Sequence, residues 1–159
     1  MSDLSADLMA LYSKRILALT AAIPHLGRLE APQASVSRRA PLCGSTTTVD
    51  LSLGPDGRVA AFAQEPRACA LGQASSAILG GGILGRSPEE LAAARDALKA
   101  MLKQGAPPPE GPFHDLEVLT AARGYANRHA SILLAFEAAA EAAAAAQETT
   151  PPPEAGSGA

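Results

Sequence analysis

The run Thr46-Thr47-Thr48-Val49-Asp50-Leu51-Ser52-Leu53-Gly54-Pro55-Asp56-Gly57-Arg58-Val59-Ala60-Ala61-Phe62-Ala63-Gln64 changes the hydrophobic period of the chain from helical to two. Val49, Leu51 and Leu53 fall on one side of an extended strand and Thr48, Asp50 and Ser52 on the other, the pattern of a half-buried strand. Gly54-Pro55-Asp56-Gly57 combines a fixed φ with glycine freedom, so the chain turns tightly and Arg58 to Gln64 returns antiparallel. Ala34 to Arg38 offers a weaker third strand. The expectation is a small antiparallel three-stranded sheet.

Helical patterns flank it. Leu8, Tyr12, Ile16, Leu19 and Ile23 recur every three or four residues, predicting a first helix from Ser5 to about Ile23 that Pro24, Gly27 and Pro32 end. From Cys69 to Leu79 the residues Ala70, Leu71, Ala74, Ala77 and Ile78 give a second helix with a small apolar face. Ser87-Pro88-Glu89-Glu90 places a capping hydroxyl, a proline at the first helical position and a glutamate three residues on, which marks a third helix start. Leu91, Ala94, Leu98, Met101 and Leu102 form its inward stripe, with Arg95, Asp96, Lys99 and Lys103 toward water. Gly105 to Pro112 reads as an exposed linker, Phe113 to Arg123 as a short helix and Asn127 to about Ala146 as a longer one. Its alanine-rich end has helix propensity but little to bury. The reading is one α+β domain over residues 1–148, its sheet covered on one face by helices, with a disordered tail from Thr149 to Ala159.

Composition bounds the function. The 159 residues carry 13 Lys plus Arg against 16 Asp plus Glu, a net charge of −3, and no block of cations suited to phosphate backbones, so nucleic acid is excluded as the expected partner. Aromatics make up only 3%, so the core rests on Leu, Ile, Val and Ala. The acidic start Met1-Ser2-Asp3 lacks the form of a signal peptide, and Lys14 and Arg15 interrupt the first apolar segment, so no membrane span and a reducing cytoplasm are expected.

Two cysteines, Cys43 and Cys69, stand at the two ends of the hairpin: one in Leu42-Cys43-Gly44-Ser45, the other where the return strand becomes a helix. A hairpin brings its ends together, and a helix amino terminus favours a thiolate, so a shared sulfur site is one reading. The other is two small buried hydrophobes. Gly80-Gly81-Gly82-Ile83-Leu84-Gly85 matches the dinucleotide pattern G-x-G-x-x-G, but a helix precedes it and no Asp or Glu lies between Lys99 and Pro109. It reads as a helix end, with no nucleotide implied. His25 and His114 have no partner motif, and Arg67 and Arg128 are read as solvated neighbours of the candidate site.

Leu42-Cys43-Gly44-Ser45, the hairpin, and Cys69 followed by Leu71-Gly72-Gln73-Ala74-Ser75-Ser76-Ala77 resemble the NifU/IscU/SufU family of iron-sulfur cluster assembly scaffolds. Arg128-His129-Ala130-Ser131-Ile132-Leu133 is similar to that family's third site, a His-Cys-Ser-Ile-Leu type sequence. Three departures stand out. Ala130 occupies the third cysteine's place, Ser45 replaces an aspartate, and the Leu-Pro-Pro-Val-Lys segment recognised by a chaperone is absent around Gly124-Tyr125-Ala126-Asn127. The resemblance implies an IscU/SufE-like fold and a transient iron-sulfur cluster held by Cys43, Cys69 and, in place of the third cysteine, His129. These are N and S donors suited to iron or zinc. A lone histidine in a helix's first turn is otherwise a surface or hydrogen-bonded residue. The resemblance also implies a cysteine desulfurase and acceptor apoproteins as partners, and no catalysis by the chain itself. Two other roles remain open: a zinc-bound sulfur acceptor of the SufU type, and a module that keeps the fold without metal.

Overall fold

The computed structural model describes residues 13–41 and 44–149. The first half of the expected amino-terminal helix, Cys43, and all but the first residue of the expected tail lie outside the described residues.

Three strands, β1 (Ala34–Arg39), β2 (Thr46–Leu53) and β3 (Val59–Arg67), form an antiparallel sheet in the order β1-β2-β3. The weak pattern of Ala34 to Arg38 is therefore a strand, pairing Val36 with Val49 and Arg39 with Thr46. On β2's other side Thr46 pairs with Arg67 and Val49 with Gln64, with one irregularity between Ser52 and Leu53. That register brings the β1–β2 loop and the end of β3 to the same edge of the sheet.

Helices α1 (Lys14–Thr20), α2 (Ala70–Gly82), α3 (Pro88–Gln104) and α4 (Ala126–Thr149), with a 3-10 segment over Gly111–Gly124, pack on the sheet and on one another. The α3 start is as read: Ser87 Oγ accepts from Glu90 N at 3.1 Å and Glu90 Oε1 accepts from Ser87 N at 2.9 Å. Phe113 to Arg123 winds as 3-10 turns and bends at Phe113, whose ring meets Phe136 edge-on at 5.3 Å between centroids. The glycine run ends α2, and it has a packing reason. A Cβ on Gly80 would lie 2.8 Å from Gln64 Nε2, and one on Gly82 2.9 Å from the Phe113 ring.

One expectation fails: α4's alanine-rich end is core. Ala138, Ala139, Ala142, Ala143 and Ala146 are fully buried beside Ile132, Leu133, Leu134 and Phe136, because α4 lies between α3, α2 and the strands β1 and β2. Methyl-sized side chains let neighbours approach closely. Each buries about 0.8 kcal/mol of apolar surface, against about 1.5–3 kcal/mol for each larger side chain. Burial therefore outweighs propensity differences of a few tenths. By length and composition α4 would also suffice to cross a membrane, but 72% of its most apolar window is buried within the fold.

Asp50, expected on the open face of β2, is fully buried. The loop before β1 folds over it. Arg28 donates from Nε to Oδ2 at 2.7 Å and from Nη2 to Oδ1 at 3.2 Å, Leu29 N donates to Oδ2 at 3.0 Å, and Ser35 Oγ donates to Oδ1 at 2.6 Å. Burial pushes the carboxyl's pKa up, and the donors from Arg28, Ser35 and Leu29 outweigh that, holding it below the usual carboxylate range. Its stabilisation is thus present above the ordinary aspartate pKa, about 3.9, and is lost as pH falls through the depressed folded value. Asp50→Asn is expected to cost roughly 2 kcal/mol near pH 7, an estimate kept low because Arg28 is half exposed. In urea titrations the gap from wild type should narrow steadily as pH drops below about 4.

Candidate functional site

Cys69 is the N-cap residue of α2, half-buried, and its side chain makes no capping bond. Its Sγ lies 3.4 Å from Ser131 Oγ on the second turn of α4. Ser131 Oγ is in turn 3.1 Å from Ser45 Oγ, and both serines are buried. Three chain segments thus meet at one point: the residue two beyond Cys43, Cys69 itself, and the residue after Ala130. When Cys69 is a thiolate it has no proton to give, so the hydroxyls can order in one direction only: Ser45 donates to Ser131 and Ser131 to the sulfur.

The local backbone makes this meeting possible. The β1–β2 loop is closed at its base by Ala40 N donating to Ser45 O at 2.8 Å, with Gly44 N donating to Ala40 O at 3.3 Å. Gly44 takes a φ of 75°. Across the sheet edge, Gly72 lets the first turn of α2 lie against α4: a Cβ there would stand 2.6 Å from Ser131 Oγ, 2.7 Å from Ala68 Cβ and 3.1 Å from Ser131 O. Ser75 Oγ then donates to Ile132 O at 2.7 Å, fixing the same crossing one turn on.

His129 does not join Cys69. It is buried, with Nε2 3.0 Å from Ala122 O and 3.1 Å from Arg123 O, and Nδ1 3.5 Å from Lys103 Nζ. An ammonium only donates, so Nδ1 accepts from Lys103, and Nε2–H donates to the two carbonyls. Residues 129 and 131 also project about 200° apart around a helix, and Ser131 holds the Cys69 side. The imidazole ties α4's first turn to the end of the 3-10 segment. Among the described residues, no three His, Cys, Asp or Glu side chains come together to hold a metal ion.

His25 adopts a left-handed φ of 61° and packs edge-on against Phe62. His114 is exposed, 3.9 Å from Glu117. Neither approaches the Cys69 cluster, and Arg67 is exposed at its edge. Ser45 and Ser131 were not singled out by sequence as a linked pair. The available signal was a glycine, Gly72, one turn into a helix that opens on a cysteine. Beside Ala130 the surface forms a groove of about 350 Å³ lined by Arg38, Arg39, Lys99, Lys103 and Pro41, of which sequence placed Lys99 and Lys103 on a water-facing side.

Gly72→Ala is expected to destabilise the protein by about 1–3 kcal/mol through overpacking. Ser131→Ala in the same chain should restore only part of it, since Ala68 Cβ and the Ser131 carbonyl still crowd the new methyl; a double-mutant cycle in urea measures this. His129→Ala should cost about 1–3 kcal/mol by removing a buried ring and its hydrogen bonds to the Ala122 and Arg123 carbonyls, although Tyr125 N still donates to Ala122 O; the loss is read as a lowered melting temperature.

No protein-family model matches the chain, and no curated protein does. Among solved structures it is similar to the N-terminal part of a nitrogen-fixing NifU-like protein from Brucella abortus. Identity there is 42% over 91% of this chain and 99% of that one, with a TM-score of 0.86. An iron-sulfur cluster assembly scaffold protein of the SUF system from Fervidobacterium islandicum shares the fold at 18% identity, covering 85% and 98% of the two chains with a TM-score of 0.76. A hypothetical protein matches at 25% identity over 81% and 96%, with a TM-score of 0.64. With 42% of positions identical across nearly all of the solved N-terminal Brucella chain, the chain belongs to the NifU/IscU/SufU-like family of iron-sulfur cluster assembly scaffolds.

Proposed function

We propose that Cys43 and Cys69 are the chain's own ligands for an iron-sulfur cluster assembled on it and passed to acceptor apoproteins, the sulfur coming from a cysteine desulfurase. The observation that carries this reading is the convergence of Ser45, Cys69 and Ser131. It joins the base of the Cys43 loop, the second cysteine and the third family motif at one sheet edge. Each thiol would release its proton to solvent and give a sulfur lone pair to iron, a soft donor suited to iron or zinc. Cluster and metal are cargo here, and the chain's work is to hold and release them.

Ser131 and Ser45 would supply hydrogen bonds to a sulfur on Cys69, of the kind that tune sulfur-ligated iron. His129, expected as the third ligand, serves in this reading to position α4, since its nitrogens are turned to Ala122, Arg123 and Lys103. The half-buried state of Cys69 suits both loading and release. A sealed thiolate would be slow to exchange its cargo.

Anaerobic reconstitution with ferrous iron and sulfide tests the reading. Wild type should gain the visible absorption of a cluster, and Cys43→Ser and Cys69→Ser should each lose it at least about tenfold, with folding checked by circular dichroism. His129→Ala should keep the spectral shape even where its yield falls with stability; a changed Mössbauer spectrum would return it to the ligand set. One tightly held zinc per chain with no sulfide uptake would favour the zinc-bound sulfur acceptor. Cysteine variants that behave as wild type, without metal, would favour a module that has lost the chemistry.

A further inference from the structure

A groove of about 350 Å³ runs along α4 between residues of α3 and the end of β1. Part of its lining is apolar. Ala126, Ala130 and Leu133 recur every three or four residues and so share one face of α4, and Ala40 and Pro41 continue that surface at the sheet. The charged part is one-sided: Lys99 and Lys103 one turn apart on α3, Arg38 and Arg39 at the end of β1, and Glu137 as the one acidic lining residue. Arg38 is committed to Glu137 and Glu141, at 3.7 and 2.7 Å. Lys103 Nζ lies 3.5 Å from His129 Nδ1, which leaves the ammonium two further N–H groups. Lys99 and Arg39 are exposed and have no acidic partner within 4.0 Å among the described residues. Cations without partners are thus gathered in one groove of a chain whose net charge is −3.

Size and spacing define what fits. From Ala126 to Glu137 the α4 face runs about 16 Å at 1.5 Å per residue, the length of about five residues of extended chain. A helix of that length and about 10 Å across would fill roughly 1,250 Å³, far more than the groove holds, so a single extended strand is the occupant. Lys99 and Lys103 stand about 6 Å apart along α3, close to the roughly 7 Å between alternate side chains of an extended chain. Two carboxylates separated by one residue therefore meet the two ammonium groups. A nucleic-acid strand fits worse, because its phosphates continue past the groove into Glu137 and Glu141 and an acidic chain. We propose that this groove docks an acidic, extended segment of a partner protein, with alternate carboxylates on Lys99 and Lys103 and a further one on Arg39. The inference stands apart from the cysteine reading of the preceding subsection. Exposed ion pairs are individually weak and screened by salt, so the docking is quick to form and quick to release.

The test follows the amide NMR shifts of the isotope-labelled full chain as a capped five-residue peptide alternating glutamate with alanine is added. Saturable shifts are expected at Arg39, Lys99, Lys103 and Ala130, with affinity falling at least about fivefold between about 0.02 and 0.2 M salt. The matching glutamine–alanine peptide should give none. Lys99→Glu and Arg39→Glu, at side chains with no partner, should each weaken binding at least about fivefold with circular dichroism and melting unchanged, and Lys99→Arg should retain it. No saturable shift, equal binding of the glutamine peptide, or shifts centred on another face would overturn the proposal. Inorganic phosphate that saturates the same amides more tightly than the peptide would make this a small-anion site, and a single-stranded oligothymidine that does so would make it a nucleic-acid face. Shifts at these residues on dilution without peptide would make it a contact between copies of this chain. Each of those three results also overturns the proposal, and none bears on the cysteine site.

Discussion

The approach of α2's first turn to α4 is the constraint on which the site depends. Two helices normally stand 8–10 Å apart because side chains separate their backbones. Here Gly72 removes one layer, so that Ser131 fills the space a Cβ would take. Because Cys69 caps the same helix three residues earlier, its sulfur reaches Ser131, and Ser131 in turn reaches Ser45. The crossing is reinforced at Ser75 and Ile132. The same contact that closes the core thus sets the surroundings of the Cys69 sulfur.

The sheet brings the β1–β2 loop and the residue Cys69 to one place. Antiparallel pairing of Thr46 with both Arg39 and Arg67 brings the β1–β2 loop and the β3–α2 junction to one edge. On the opposite face, Asp50 clamps the loop before β1 through Arg28, Leu29 and Ser35. An ionised carboxylate is tolerated there because donors surround it; without them desolvation would protonate it. The clamp stiffens β1 and β2 at their centre, and the edge bearing the candidate site inherits a fixed register.

Much of this was legible in the sequence, for identifiable reasons. Period-two alternation around Val49 and Leu51, the Gly54–Gly57 turn and the Ser87–Glu90 cap are local signals, and local hydrogen bonding realises them. Asp50 misled because alternation reports which side of a strand a residue faces, not whether a loop later covers that side. The alanines after Phe136 misled for a related reason: small residues look marginal alone and become core only when several elements close around them. His129 was read from its place in a motif. Its orientation follows from where Ala122, Arg123 and Lys103 lie, which is a tertiary fact. The serine link was hidden because a buried hydroxyl has no sequence pattern until its partner is known.

Charge supplies the last step. The groove at Ala130 holds four cations against Glu137, while the adjoining one, which shares Arg38, Lys99 and Glu137, adds Arg95, Asp96 and Glu141 and so balances three against three. The excess is thus confined to the stretch between Pro41 and Ala130. Like charges within a Debye length, about 8 Å at physiological salt, repel one another and oppose folding. An anion in the groove relieves that repulsion.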